Sequence, residues 1–508
     1  MFLPTCFLGW LILLKIKPQM IVSWLILGSI IFYSFWKVKY LITLFFSIFI
    51  NYFIGMALVK CPEKHRKKAL IIGISFNVLL LIYYKYYYFL INIFTNSLNP
   101  ITFSAENIAI PLGISFFTFT QIAFLVDVYQ QKCQEYSITD YCLFVTCFPH
   151  LIAGPILHHQ EMMPQFKKII NHKFNWDNLS LGISLFAIGL FKKVIIADYF
   201  VCEVQNVFNA ATTIQITFLE AWYGAIGYAL QIYFDFSGYC DMAIGLSKMF
   251  GIKLPINFNS PYKATSIIDF WHRWHITLGR FLRNYVYIPF GGSKVGFIRK
   301  YFNLFLTMLL GGIWHGAGYT FILWGIVHGI LLSINHFIKD FGFSFKYNEI
   351  KKLLIFIIIV LTWVPFRALN LETTFNIWKG CLGLNGITLP SCLYNTISNI
   401  GTNMGKILEL VWVKAIPTNP HLSLKACLIM FVVLLITFYA PNSIEIFKNY
   451  ENQLFLLSNN SSYSYLNKDN KISLQWYPSV KWAIALTIIL ILGIWCRQQT
   501  TEFLYFQF

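Results

Sequence analysis

Charged residues are scarce in this chain: they make up 12% of 508 positions, about half the share of an ordinary soluble domain. That shortage excludes a water-exposed globule, and a hydrophobic share of 57% with a mean hydropathy of +0.60 places the chain in lipid. Paired cysteines are missing too. Eleven cysteines occur, none in a Cys-x-x-Cys pair and most inside apolar runs, so neither a disulfide framework nor a redox dithiol is implied. Gly-x-Ser-x-Gly, P-loop and Gly-x-Gly-x-x-Gly motifs are absent, and no serine or cysteine stands out as the nucleophile of a covalent acyl-enzyme. Nor is there an internal repeat or an appended soluble domain.

What the sequence does have is long apolar runs. Ile21 to Trp36, Tyr40 to Val59, Ala69 to Phe94, Leu181 to Cys202, Phe218 to Asp235, Phe321 to Ile338, Leu353 to Phe366, Ala426 to Tyr439 and Trp482 to Trp495 are near the length of a membrane-spanning helix. With shorter or broken segments added, an all-α polytopic membrane protein of roughly ten to twelve crossings is expected. The formal charge of +18 does not point to nucleic acid, because the basic residues fill short loops between apolar runs. Lys60 to Lys68 is the clearest of these. Placing it in the cytoplasm brings Gln165 to Lys173, Lys294 to Lys300 and Lys339 to Lys352 to the same side and the N-terminus outside. Phe2 to Leu14 lacks a basic start and a cleavage site, and reads as a retained first helix. Ser458 to Lys471 reads as an exposed loop. The whole of 1–508 reads as one membrane domain: scaffold helices over 1–107, a catalytic core over 108–340 and C-terminal helices over 341–508.

Polar groups punctuate the apolar runs unevenly. Lys85, inside the aromatic run Ile82 to Phe89, reads as a snorkelling lysine in an interfacial belt. Phe148 to His159, broken by Pro149, Gly154 and Pro155, is too short to cross and reads as a re-entrant segment lining something, with His158 and His159 solvated beside a polar loop. Lys192, Lys193 and Asp198, and farther on Asp235 and Asp241, lie at depths where charges pair or face a cavity. Trp271 to Gly292 reads as an amphipathic interfacial helix, with Asp269, His272 and His275 on one arc and Arg273 and Arg280 on a neighbouring stripe.

His315 lies in Gly311 to Gly329, among glycine, tryptophan and aliphatic residues. An imidazole in hydrocarbon must satisfy two nitrogens without water, and a desolvated histidine that stays neutral keeps one nitrogen able to take a proton. Three readings are open on the residues alone. In one, His315, helped by His275, activates a hydroxyl against an acyl group while cationic residues hold a phosphate-bearing donor. In another, Asp269, His272, His275 and His315 bind a metal, although the chain has a single His-x-x-His and no His-x-x-His-His. In the third, the polar groups line a transport path for an envelope precursor, although paired halves with matching broken helices are not found.

The ordered set PLGISFFTF, FPHLIAGPI, GLFKKVIIAD, FDFSGYCDMAIGLSKMFGI, NFNSPY, WHRWHITLGRFLRNYVYIPFGG and GGIWHGAGYTFILWGIVHG resembles the membrane-bound O-acyltransferase family. It is most similar to the bacterial branch that acetylates alginate and peptidoglycan, with the D-alanyl transferases of teichoic acid synthesis more distant. The likeness spans Pro111 to Gly329, and the helices on either side agree in hydropathy alone. It implies a fold of membrane, re-entrant and interfacial helices around a central tunnel. It implies catalytic roles for His315, in the family's WHG motif, and for His275, in its RWH motif, with Asp269 and Trp314 in support. Arg273, Arg280 and Arg283 are expected to meet donor phosphates. The donor is a cytoplasmic thioester, acetyl-CoA or another, with no permanently bound cofactor and no metal. Expected partners are membrane lipids, a polysaccharide acceptor, peptidoglycan ahead of alginate, and a separate periplasmic esterase-like protein, with no nucleic acid. The expected location is the bacterial inner membrane.

Overall fold

The computed structural model describes residues 2–95, 110–133, 136–152, 154–171, 173–342, 347–390, 413–416, 424–456, 474–496 and 504; Ser458 to Lys471 lie outside them. Every apolar run named above is helical. In order the helices are α1 (Phe2–Ile16), α2 (Ile21–Ser34), α3 (Tyr40–Lys60), α4 (Glu63–Leu81), α5 (Tyr87–Thr95), α6 (Ile114–Tyr129), α7 (Ile138–Thr146), α8 (Phe148–Leu151), α9 (His159–Ile169), α10 (Trp176–Phe191) and α11 (Tyr199–Ala210). Then come α12 (Phe218–Met249), α13 (Ile267–Arg273), α14 (Ile276–Leu282), α15 (Phe297–His315), α16 (Tyr319–Asp340), α17 (Asn348–Arg367) and α18 (Leu371–Cys381). The last are α19 (Leu424–Tyr439), α20 (Ser443–Ile446), α21 (Glu451–Leu454) and α22 (Val480–Trp495). Single π-helical turns at Ile82–Tyr86, Lys192–Ala197 and Arg283–Tyr287 follow α4, α10 and α14. Strand is confined to two short parallel pairs among the described residues, Leu254–Pro255 with Phe455–Leu456 and Ile387–Pro390 with Val413–Ile416.

Tyr40–Lys60, Glu63–Ile93, Trp176–Ala210 and Tyr319–Asp340 are helices long and apolar enough to cross a bilayer, and Phe2–Ile16, Pro18–Ser34, Ile114–Tyr129, Lys425–Tyr439 and Val480–Trp495 are shorter apolar helices. Their apolar faces look outward, as in Ile42, Phe46 and Phe49 of α3 and Ile484, Ile488 and Ile491 of α22, all exposed. Hydrocarbon gives no hydrophobic reason for helices to associate, so close backbone packing and internal polar bonds must do it. Both are present. A Cβ added at Gly189 of α10 would lie 2.6 Å from the carbonyl oxygen of Gly238 in α12, and one at Gly245 would lie 2.6 Å from that of Gly182. The two glycine pairs repeat at the same spacing on both helices, so their backbones touch along a seam of two turns. At the end of that seam Lys192 pairs with Asp241 at 2.6 Å and Lys193 with both Asp198 and Asp235 at 2.6 Å. These are the pairings expected of charges held at such depth.

The hairpin of α15 and α16 is built the same way. A Cβ at Gly312 would lie 2.5 Å from the Phe321 carbonyl oxygen and 2.7 Å from the Cα of Gly325. Gly316 and Gly318 are both extended, so α15 stops at His315 and α16 starts at Tyr319. The reversal thus leaves His315 as the last helical residue of α15. The broken segment after α7 forms one helical turn, α8, and residues 155–158 are non-helical and meet α14, where the Ile156 amide donates to Thr277 Oγ1 at 3.0 Å.

Candidate active site

His315 is buried, with 5% of its surface exposed, and its ring lies against three others. The centroids of Trp314, Trp324 and Phe366 are 4.9, 5.0 and 5.0 Å away. Trp314 is itself held in a stack, 4.8 Å from Phe119, which lies 4.2 Å from Phe281 of α14. On its other flank the same indole reaches His275, at 6.5 Å between centroids. One tryptophan therefore contacts both of the imidazoles singled out in the sequence.

The surroundings of His275 differ from the expected helical arc. α13 ends at Arg273, the chain turns at Trp274, and His275 takes a left-handed backbone conformation with φ of +43° before α14 begins. Asp269 and His272 stay on α13 while His275 turns into the core, fully buried. Asn257, in the NFNSPY turn, enforces this. Its Oδ1 accepts from the Thr277 amide at 3.1 Å and hydroxyl at 2.9 Å, and lies 3.2 Å from His275 Nδ1. The Ile276 amide donates to the Asn257 carbonyl at 3.0 Å. With Oδ1 as the shared acceptor, Nδ1 carries the proton of the neutral ring, and Nε2 keeps its lone pair. Holding a side-chained residue at positive φ costs about 1–3 kcal/mol, a cost that persists where surrounding bonds over-determine it. Replacing Asn257 by alanine leaves buried donors of His275 and Thr277 without an acceptor, at about 1–3 kcal/mol each. A lower melting temperature in detergent is expected for Asn257→Ala; an unchanged melt would contradict this role.

Below these rings opens a cavity of about 380 Å³ lined by Asp269, His272, Arg273, Arg280, Arg283 and Lys339, among others. Its inner wall includes Leu304, Thr307 and Met308 of α15. Met308 is seven residues before His315, about 10 Å along the helix. The three arginines named from the sequence thus share one cavity, and the two histidines lie deeper. They are not equivalent. Arg273 pairs with Asp269 at 2.7 Å, and Arg280 grips both carboxylate oxygens of Glu161 at 2.5 and 2.8 Å. Arg283 is exposed and makes no ion pair among the described residues. His272, at the rim, is held below its ordinary pKa by partial burial and by Arg283, Lys339 and Arg273, with Asp269 opposing. Among the described residues no three His, Cys, Asp or Glu side chains come together as a metal site would require.

The placements of His158, His159 and Lys85 differ from those expected. His158 and His159 are buried. His158 Nδ1 lies 2.9 Å from the Tyr285 hydroxyl, which donates to Asp127 at 3.0 Å, and His159 Nε2 lies 3.6 Å from Cys133 Sγ. His328 is fully buried beside Trp271 and Trp324, with neither ring nitrogen hydrogen-bonded among the described residues. Lys85 does not snorkel to an interface. Its ammonium donates to the carbonyls of Trp314 and His315 at 2.7 and 2.8 Å, on the backbone that carries the site. Asn257 beside His275, Lys85 beside His315 and Lys339 in the cavity lining are placements that the sequence does not signal. An asparagine in a Pro and Asn rich turn, and a lysine among tyrosines, carry no local sign of partners 18 and some 230 positions away.

The model of the membrane-bound O-acyltransferase family (MBOAT) matches residues 30–364, which carries the resemblance well beyond Pro111 to Gly329 on both sides. The chain is 46% identical over 420 residues to the peptidoglycan O-acetyltransferase of Helicobacter pylori, covering 76% of this chain and 79% of that one. It is 38% identical over 366 residues to the probable alginate O-acetylase AlgI of Pseudomonas aeruginosa, covering 70% and 68%. Similarity to the teichoic acid D-alanyltransferase of Bacillus subtilis is 28% over 267 residues, covering 50% and 65%.

Proposed function

This chain belongs to the membrane-bound O-acyltransferase family, and within that family we propose that it takes acetyl from a cytoplasmic thioester and delivers it for O-acetylation of a cell-envelope polysaccharide. Peptidoglycan is the first candidate, as in the Helicobacter pylori relative, and an alginate-like polymer the second. The observation that carries the reading is the pairing of a basic cavity with a buried histidine two helical turns farther along α15. A phosphate-bearing acyl thioester is anionic at one end and electrophilic at the other, and this arrangement has a place for each.

In the proposed reaction the acceptor hydroxyl gives its proton to His315 as its oxygen attacks the thioester carbonyl. The carbon–sulfur bond breaks, the thiolate leaves, and the imidazolium returns the proton to sulfur, so the donor departs as a free thiol. His275, positioned by Asn257, assists from the other side of Trp314. Arg273, Arg280, Arg283 and Lys339 hold the donor's phosphates. In the proposed orientation the cavity opens at the same membrane face as the basic loops, in the inner membrane, and the acetyl group leaves on the opposite side, where an esterase-like periplasmic partner passes it to the polymer.

Arg283 is the arginine most available to a phosphate, because Arg273 and Arg280 are already paired. An exposed charge pair contributes up to about 1 kcal/mol, or about fivefold in binding. In membrane vesicles given acetyl-CoA, Arg283→Gln is expected to raise KM by about that factor with kcat unchanged. An unaltered KM for Arg283→Gln would remove it from the donor site.

A further inference from the structure

We propose that Lys85, together with Tyr86, is a positioning residue for His315, acting on the backbone of α15 rather than on substrate. The inference rests on the acyl-transfer reading in that it takes His315 as the base.

A helix leaves its last four carbonyls without intrahelical donors, and those of α15 include Ile313, Trp314 and His315. Here α15 ends with Gly316 extended, and the chain turns straight into α16. The missing donors come from another helix. Tyr86 donates its hydroxyl to the Ile313 carbonyl at 2.6 Å, and Lys85 donates to those of Trp314 and His315 at 2.7 and 2.8 Å. Three successive carbonyls are therefore held by two successive side chains. Lys85 also lies 3.4 Å from the Ser115 hydroxyl and 5.8 Å from the centroid of the Trp314 ring.

Two features separate this from incidental packing. First, Lys85 and Tyr86 sit in the π-helical turn Ile82–Tyr86. A π-helical turn is a rare local insertion in an α-helix, and such insertions are frequent at functional sites. Second, no carboxylate pairs with Lys85 among the described residues, so its charge is set against the negative end of the α15 dipole. An ammonium has three donors and no acceptor, which suits it to collect converging carbonyls. The pair thus fixes the turn from which the His315 side chain departs. Lys85 does not line the basic cavity, so donor binding does not depend on it.

The test is kinetic, on full-length protein in membrane vesicles with labelled acetyl-CoA, at matched amounts of folded chain. Misplacing a reacting group by about 1 Å costs about 10²-fold in rate. Lys85→Met is expected to lower kcat by about that factor and to leave the KM for acetyl-CoA unchanged, with Lys85→Arg recovering most of the loss. Tyr86→Phe, which removes one oxygen, is expected to lower kcat severalfold in a protein that folds normally. A wild-type kcat in Lys85→Met, or a raised KM with kcat preserved, would overturn the inference. If Lys85→Met does not fold, Tyr86→Phe decides: kcat equal to wild type overturns the inference. His315→Gln is run alongside. If it too keeps full activity, the acyl-transfer reading itself has failed; if it is inactive while the Lys85 and Tyr86 variants are normal, only the positioning role is lost.

Discussion

Leucine in place of Gly189 is expected to eliminate folded protein from the membrane. The two nearest atoms facing the glycine are backbone: a Cβ there would stand 2.6 Å from the Gly238 carbonyl oxygen and 2.7 Å from the Met242 amide nitrogen. Neither atom can rotate away, so α10 and α12 must separate. Overpacking a core with a few extra methylenes costs about 1–3 kcal/mol where side chains can adjust. Here the separation also strains the reciprocal contact at Gly182 and Gly245 and the buried pairs of Lys192 with Asp241 and Lys193 with Asp235. Breaking a buried pair leaves an uncompensated charge, at about 3–5 kcal/mol, so the combined loss is comparable to the entire stability of many domains. Ile183 lies on the same helix with 40% of its surface exposed, and Ile183→Leu is the control. Expression followed by detergent size-exclusion chromatography should give no monodisperse peak for Gly189→Leu and a normal one for Ile183→Leu. A normal peak for both would mean that the seam is not where the two helices are held.

His315→Gln is expected to lower acetyl transfer from acetyl-CoA by about 10²- to 10⁴-fold, the range for removing a general base. Glutamine fills much of the imidazole's space and keeps hydrogen-bonding atoms, so the contacts of Trp314, Trp324 and Phe366 largely persist and the protein should elute and melt close to wild type. Loss of rate without loss of fold is what separates a base from a packing histidine. Because the cavity arginines are untouched, KM for the donor should stay near its wild-type value. A rate within a few-fold of wild type, measured on folded protein, would return His315 to the core and require another base. His275→Gln is expected to lie between the two, since that ring reaches the site across Trp314.

The apolar scaffold was legible in the sequence because hydrocarbon imposes one rule on every span: enough consecutive apolar residues, with backbone bonds closed internally. The charges at Lys192, Lys193, Asp235 and Asp241 were legible for the same reason, since ions at that depth must pair. Of the surroundings of His315, Trp314 and Trp324 lie in its own sequence stretch, while Phe366 and Lys85 come from distant segments. Where contacts are long-range the reading fails. The arc of Asp269, His272 and His275 assumed one continuous helix, and it breaks because Asn257 offers the His275 region a better set of bonds than the next helical turn does. His158 and His159 looked solvated beside a polar loop, but Tyr285 and Cys133 close over them. Lys85 sits in a run of tyrosines that matches an interfacial belt; the arrival of α15 and of Ser115 beside it gives it other partners. The arginines were expected as a set and share one cavity, but pairing with Asp269 and Glu161 divides them, and the Glu161 pairing depends on α9 meeting α14.

The most direct measurement is the ester-linked acetate on cell-envelope glycans of bacteria producing His315→Gln at wild-type protein level, beside wild type and a deletion strain. Peptidoglycan and any extracellular polysaccharide are isolated and assayed separately, so that the polymer losing acetate identifies the acceptor. The expected result is acetate at the deletion level in the His315→Gln strain. Acetate at the wild-type level in that strain, with the deletion strain depleted, would contradict acyl transfer by His315.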